Sequence, residues 1–390
     1  MTPLQKKIFR ILFFIILLSY HSCTSITELY IIRDNNKWGY INRYGNQVIA
    51  PEYDYCCIER QEDTCCSRII WPDGIGIVKK NNKYGAIDPT GNIKINFQFD
   101  YLDQYHNSFV IAKSAGKYAV LNANGDTLFP FIFDNQFISC GNKIGHGQIE
   151  GKLYLLNFEN KSKLPTSFSK ISYFVEGKSA VLKDQKYGFI NEQGREIITP
   201  AFQEVWPFNR GLAAAKMNFE WGFIDTSGCF IIEPQYDETQ GFDILNPEIA
   251  VVVKNKKYGI IDRTGKLLIQ PKYEYLYIED DNVLHASIIE NNRLKTGLIN
   301  LKEKWLYVSL DKYFEYFNGY LKLNKNNKFG LIKLRGNKTI LPCIYDEIAF
   351  RTKGLTMVVI YNKKTGVEFF AYVNKHGKLI WKEDGFKDEL

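Results

Sequence analysis

Trp221-Gly222-Phe223-Ile224-Asp225-Thr226-Ser227-Gly228, continuing through Phe230-Ile231-Ile232 to Pro234, Tyr236 and Asp237, is the stretch whose reading decides the fold. Counted from Trp221, a glycine follows at +1, an acid at +4, a glycine at +7, a proline at +13 and an aromatic at +15. The same frame runs from Trp38 (Gly39, Asn42, Gly45, Pro51, Tyr53), from Tyr187 (Gly188, Asn191, Gly194, Pro200, Phe202) and from Tyr258 (Gly259, Asp262, Gly265, Pro271, Tyr273). Tyr84 opens a copy with Gly85, Asp88, Gly91 and Phe99 but no proline, Tyr118 one with Asn122, Gly125 and Phe133, and Phe329 one with Gly330, Gly336, Pro342 and a late Tyr345.

Weaker copies near Leu153, Thr296 and Phe370 fill the gaps, so that starts fall at 38, 84, 118, 153, 187, 221, 258, 296, 329 and 370. Each offset has a physical reason. Asp-x-x-Gly, as in Asp88-Pro89-Thr90-Gly91, is a turn opened by an Asx side chain and closed by a glycine at positive φ. The aromatic-Gly segment before it and the short apolar run after it read as strands, the latter ended by Pro, which cannot donate to a ladder. Upstream lies another β-rich stretch, such as Leu212–Lys216 or Ile249–Lys254, joined by polar turns such as Asn255-Lys256-Lys257. Each unit is therefore expected to be a three-stranded antiparallel meander that must stack on its neighbours to bury its apolar face. The expected fold is all-β: about ten such meanders in a propeller-like or open β-solenoid array over residues 34–382, with the divergent last copy as a cap.

Lys37-Trp38-Gly39-Tyr40-Ile41-Asn42 and Glu220-Trp221-Gly222-Phe223-Ile224-Asp225 resemble the WG (KWG) repeat family, which is largely bacterial. The resemblance implies an envelope or secreted β-repeat protein and supplies no catalytic residues to carry over.

Residues 1–22 combine a basic stretch (Lys6, Lys7, Arg10) with an apolar run, Ile11–Leu18, that is far shorter than the roughly 20 residues needed to span a bilayer. They read as a signal peptide. The segment Ser22-Cys23 after the run resembles a bacterial lipobox, which implies lipidation of Cys23, although Tyr20 and His21 depart from the usual pattern. A short linker, 23–33, would then lead into the array, and a charged tail, 383–390, would follow it. The expected compartment is the cell envelope, periplasmic or surface, through an N-terminal lipid anchor; a secreted form is the alternative. The ending Lys387-Asp388-Glu389-Leu390 reads literally as an ER-lumen retention signal and keeps that compartment open.

Setting aside the three basic residues of the leader lowers the formal net charge from +7 to +4, too mild and too evenly spread to imply nucleic acid. The spacing between the first two copies carries a Cys-rich insertion, 55–67, with Cys56-Cys57 and Cys65-Cys66. In an oxidising compartment these four pair as disulfides across the loop; free thiols are the alternative, and adjacent cysteines fit a zinc site poorly. Cys140, Cys229 and Cys343 read as small core residues. The histidines His106, His146, His285 and His376 are dispersed as satisfied or surface residues, without ligand or triad spacing. In-register aromatics (Trp38, Tyr84, Tyr187, Trp221, Tyr258, Phe329) read as core, while Trp71, Trp206, Trp305 and Trp381 fall outside the frame. No catalytic, cofactor or metal residues are assigned. The expected function is a non-enzymatic binding or scaffolding module for a protein or glycan partner; an envelope hydrolase with a site at a propeller centre is the alternative.

Overall fold

The computed structural model describes residues 29–56, 68–69, 75–105, 109–134, 138–139, 143–280, 282–309, 314–349, 354–362 and 365–386. Cys23, Cys57, Cys65, Cys66, Cys140, Trp71, His106 and the last four residues lie outside them, so the lipidation site, most of the disulfide set and the retention ending do too. Every regular element described is a strand, and forty strands make ten four-stranded antiparallel sheets of the kind that form propeller blades. Numbered along the chain, blade 1 covers residues 29–53, blade 2 55–99, blade 3 101–133, blade 4 138–165 and blade 5 170–202. Blade 6 covers 204–236, blade 7 238–273, blade 8 275–308, blade 9 314–345 and blade 10 347–382. Each of the ten starts read from the sequence falls in a different blade, in its third strand in blades 2–10 and, at Trp38, in the second strand of blade 1, Lys37–Asn42.

Blade 6 shows how the repeat is read by the backbone. A short first strand, Glu204–Val205, precedes the expected meander and pairs with Ala215 and Lys216 of the second strand, Ala213–Met217. The third strand, Glu220–Ile224, pairs with the second without interruption, and Lys216 lies 5.6 Å over the Trp221 ring as its cross-strand partner. The outer strand, Phe230–Tyr236, runs on through Pro234 instead of ending there. Between the pairs Trp221↔Tyr236 and Phe223↔Ile232, the single residue Gly222 faces three residues of the outer strand. Pro234 sits in this bulge, where no ladder bond is asked of it. The bulged backbone leans onto Gly222: a Cβ there would lie 2.7 Å from Pro234 N and 2.9 Å from Glu233 C. The +1 glycine and +13 proline are thus two halves of one bulge.

The turn has the expected chemistry. The Asp225 carboxylate accepts from the Ser227 amide at 2.8 Å, the Ser227 hydroxyl at 2.6 Å and the Cys229 amide at 3.1 Å, and Gly228 closes the turn at φ 88°. Asn191 makes the same pair of backbone bonds in blade 5, which is why Asn and Asp interchange at +4. In blade 2, burial would raise the Asp88 carboxyl, but hydrogen bonds from Thr90 and Asn92 hold it down at about 2.

The chain divides into two compact units, residues 132–308 with blades 4–8, and residues 25–131 with 309–390, holding the other five. In the first unit, Val251, Ile260 and Ile269 of blade 7 pack against Leu276, Leu284 and Ile299 of blade 8. Each such buried side chain contributes roughly 1.5–3 kcal/mol. In the second unit, blades 1 and 10 pack together through Tyr30, Tyr40, Phe370 and Tyr372. Arg33 of blade 1 forms a two-pronged pair with Glu383 at 2.7 and 3.1 Å, donates to the Glu368 carbonyl at 2.9 Å and stacks on both Trp38 and Phe370.

Blade 1 departs from the pattern. Its fourth strand, Arg68–Ile69, comes from beyond the first strand of blade 2 and pairs with Tyr30 and Leu29. Arg68–Ile69, directly after the insertion 55–67, thus belongs to the preceding blade. Cys56 lies on the first strand of blade 2 and is fully buried.

Candidate functional site

Because blades 2–10 are antiparallel meanders in chain order, the hairpin between third and fourth strands, Asp-x-x-Gly in the clearest copies, and the connection from first to second strand lie at one end, termed here the turn end. The tight hairpin between second and third strands lies at the other. That other end is stitched by a clamp. In blades 2 and 9 the acid after the aromatic that ends the outer strand accepts from the lysine before the repeat aromatic and from a backbone amide of the next blade. Asp100 takes Lys83 Nζ at 2.6 Å and the Ala115 amide at 3.1 Å, and Asp346 takes Lys328 at 2.7 Å and the Tyr361 amide at 2.7 Å.

The turn end of the first unit is organised differently. The connections 172–177, 206–211 and 241–248 of blades 5, 6 and 7 are bonded one to the next. Glu176 accepts from the backbone amides of Arg210 and Gly211, the latter at 3.0 Å. Asn209 donates its side-chain amide to the carbonyls of Phe242 and Asp243 at 3.2 and 3.1 Å. Arg263, in the Asp-x-x-Gly turn of blade 7, donates to the carbonyls of Pro247 at 2.9 Å and Arg210 at 2.8 Å, with its guanidinium 4.7 Å over the Phe242 ring. Burial pushes the Tyr173 hydroxyl of the same belt up to about 12, so it stays a neutral donor. Arg210 and Glu248 form an ion pair on the outer face of the belt, both more than half exposed. Loops normally carry mobile backbone; here three successive loops are held by side chains of their neighbours.

At the seam of blades 4 and 5, on the same end, a cavity of about 340 Å³ opens. The outer strand of blade 4, Ser162–Pro165, has four residues and pairs without a bulge. Its Leu164 is consequently 48% exposed, where the corresponding Ile198 and Ile232 of blades 5 and 6 are 6% and 4% exposed. Ile144, Leu155 and Leu164 form the apolar part of the cavity, and Lys143, Asn157, Glu159, Asn160, Glu192 and Gln193 are among its polar residues.

Trp221 is buried, and the other in-register aromatics are half-buried. Trp206, Trp305 and Trp381 each pack against a core cluster, so these off-frame rings have packing duties. Cys229 departs from the core reading: it is an exposed free thiol, because the turn that Asp225 closes carries it outward. Cys343 is half-exposed. His376 is exposed, but His146 is buried with Nε2 unpartnered, and burial lowers its imidazole to about 4. His146 pairs across strands with Leu155, at a position where blades 5, 6 and 7 carry Ala180, Ala214 and Val251. Among the described residues, no three His, Cys, Asp or Glu side chains are grouped to hold a metal ion, and no helix is long and apolar enough to cross a membrane.

Fold and loop belt together define the class: an all-β protein of propeller-type blades that presents ordered loops at one end of its first unit. The chain belongs to the family described as WG containing repeat, whose model matches residues 38–56, 84–118, 187–218, 221–258, 258–283 and 329–363. No curated protein matches it in sequence. Among solved structures it is similar to a eukaryotic initiation factor, with 11% identity over 92% of this chain and 96% of that one, at a TM-score of 0.47. It is also similar to Porphyromonas gingivalis dipeptidyl peptidase 4, with 9% identity over 77% of this chain and 63% of that one, at a TM-score of 0.41. Citrobacter koseri AztD is similar with 10% identity over 66% of this chain and 90% of that one, at a TM-score of 0.34.

Proposed function

We propose that the protein is a non-enzymatic binding or scaffolding module of the cell envelope, held there by a lipid on Cys23, which presents the turn end of blades 4–7 to a protein or glycan partner. The observation that carries this reading is the belt in which Glu176, Asn209 and Arg263 fix the backbones of three successive loops. A surface ordered before binding loses less conformational entropy when a partner docks. The leader and its cysteine supply the anchor, and the solvated mixed charge of the chain suits a surface that works through many modest contacts.

The test is photo-crosslinking in intact cells, with the crosslinking amino acid placed at Arg210 on the belt or at Asn255 on the opposite end. Adducts from position 210 and none from 255 support the reading. Equal labelling at both positions, or none at 210, contradicts it.

A further inference from the structure

We propose that the cavity between blades 4 and 5 binds a neutral saccharide. This deepens the reading above by naming a ligand class, and rests on it only in taking the turn end as the binding face. At about 340 Å³ the cavity falls at the lower end of the ~300–1,000 Å³ range of small-molecule pockets.

Its lining has the dual character that a sugar ring demands. Leu164 offers an apolar surface for the C–H face of a ring and is exposed here as its counterparts in blades 5 and 6 are not, with the buried Leu155 behind it. Around it, Asn157 and Asn160 use their side-chain oxygens to hold the local turn, at 3.0 Å to the Glu159 amide and 3.0 Å to the Ser162 amide. Those bonds fix both side chains and leave their amide N–H groups without a protein partner among the described residues. Gln193 brings a further amide side chain from blade 5. Hydroxyl groups donate and accept at once, and this set of amides and carboxylates matches both roles.

Charge decides against an anion. Lys143 is paired with Glu159 at 2.7 Å, and the carboxylate of Glu192 faces the same space, so an anion gains no free cation. An extended peptide that adds a strand needs a long open edge. The outer strand here has four residues and ends at Pro165.

The experiment is titration calorimetry on the mature full-length chain with neutral tetrasaccharides built from glucose, galactose, mannose or N-acetylglucosamine. At least one is expected to bind with a millimolar or tighter dissociation constant. The exposed pair Asn160→Ala with Gln193→Ala is expected to weaken that binding about tenfold, the effect of losing two modest hydrogen bonds. Asn160→Trp, which fills the cavity, should abolish it, while Asn255→Ala leaves it unchanged; a cooperative thermal transition above the assay temperature shows that each variant folds. Absence of binding across the panel, or equal binding by the filled variant, overturns the proposal. If that happens while position 210 still crosslinks a partner, the saccharide site falls and the binding-module reading stands.

Discussion

Gly222→Ala is expected to cost more stability than Gly211→Ala in the same blade, although only Gly211 occupies a backbone conformation that disfavours side chains. Gly211 has φ 82° and nothing within 4 Å of an added Cβ. Alanine there meets only left-handed strain, about 1–2 kcal/mol. At Gly222 the added carbon lies 2.7 Å from Pro234 N and 2.9 Å from Glu233 C, with the Ile232 carbonyl oxygen closer still. All three are backbone atoms of the bulge, so no rotamer change relieves them. Overpacking typically costs 1–3 kcal/mol. Lifting the outer strand also loosens Ile232 and Tyr236, 4% exposed each in the native blade. Partial loss of their burial adds a further ~1–3 kcal/mol. The total is roughly 2–6 kcal/mol. Urea unfolding reads the global effect, and hydrogen exchange of peptide 230–236 localises it to the outer strand. A Gly222→Ala variant no less stable than Gly211→Ala would refute the coupling of the +1 glycine to the +13 proline.

Three further outcomes are expected. A double-mutant cycle on Arg33→Ala and Glu383→Gln should give a coupling of about 2 kcal/mol, since the pair is two-pronged and its side chains are only 25% and 12% exposed; additive losses would show that it holds nothing. His146, lowered from 6.5 to about 4, binds its proton in the unfolded chain first, so its contribution is complete above pH 6.5 and is lost as pH falls to about 4. That amounts to roughly 3 kcal/mol at about 1.4 kcal/mol per pH unit, and His146→Leu should flatten that part of the urea-midpoint profile; parallel profiles would count against it. Intact-mass measurement of membrane-extracted protein should show a chain beginning at Cys23 with added acyl mass, absent in Cys23→Ala, whereas a lipid-free soluble chain would remove the anchor.

The frame set on Trp221 made the repeats legible because its offsets are backbone requirements: a close approach at Gly222, an Asx turn at Asp225, a positive φ at Gly228. The first strands were not, because two residues such as Glu204–Val205 are too short to show alternation. Pro234 was readable as a non-donor, but the choice between ending a strand and sitting in a bulge depends on what lies opposite. The lysine–carboxylate clamp was visible in principle at a nearly fixed separation of 17 or 18 residues, as in Lys83–Asp100 and Lys328–Asp346. The belt had no such signal, since Glu176, Asn209 and Arg263 do related work with different groups in different loops. The cavity arises from a missing bulge, which a motif scan registers only as a weak copy near Leu153.

Hydrogen exchange of residues 206–211 tests most directly whether the belt is ordered before any partner arrives. The amides of Trp206 and Asn209 are bonded to backbone carbonyls at 2.9 and 2.8 Å, and those of Arg210 and Gly211 to Glu176. In the isolated protein these amides should exchange on the order of a hundredfold more slowly than in an unstructured peptide, equivalent to about 2.7 kcal/mol of opening free energy. Glu176→Ala should release those of Arg210 and Gly211. Exchange at the unstructured rate in the wild-type protein would contradict a preformed binding surface.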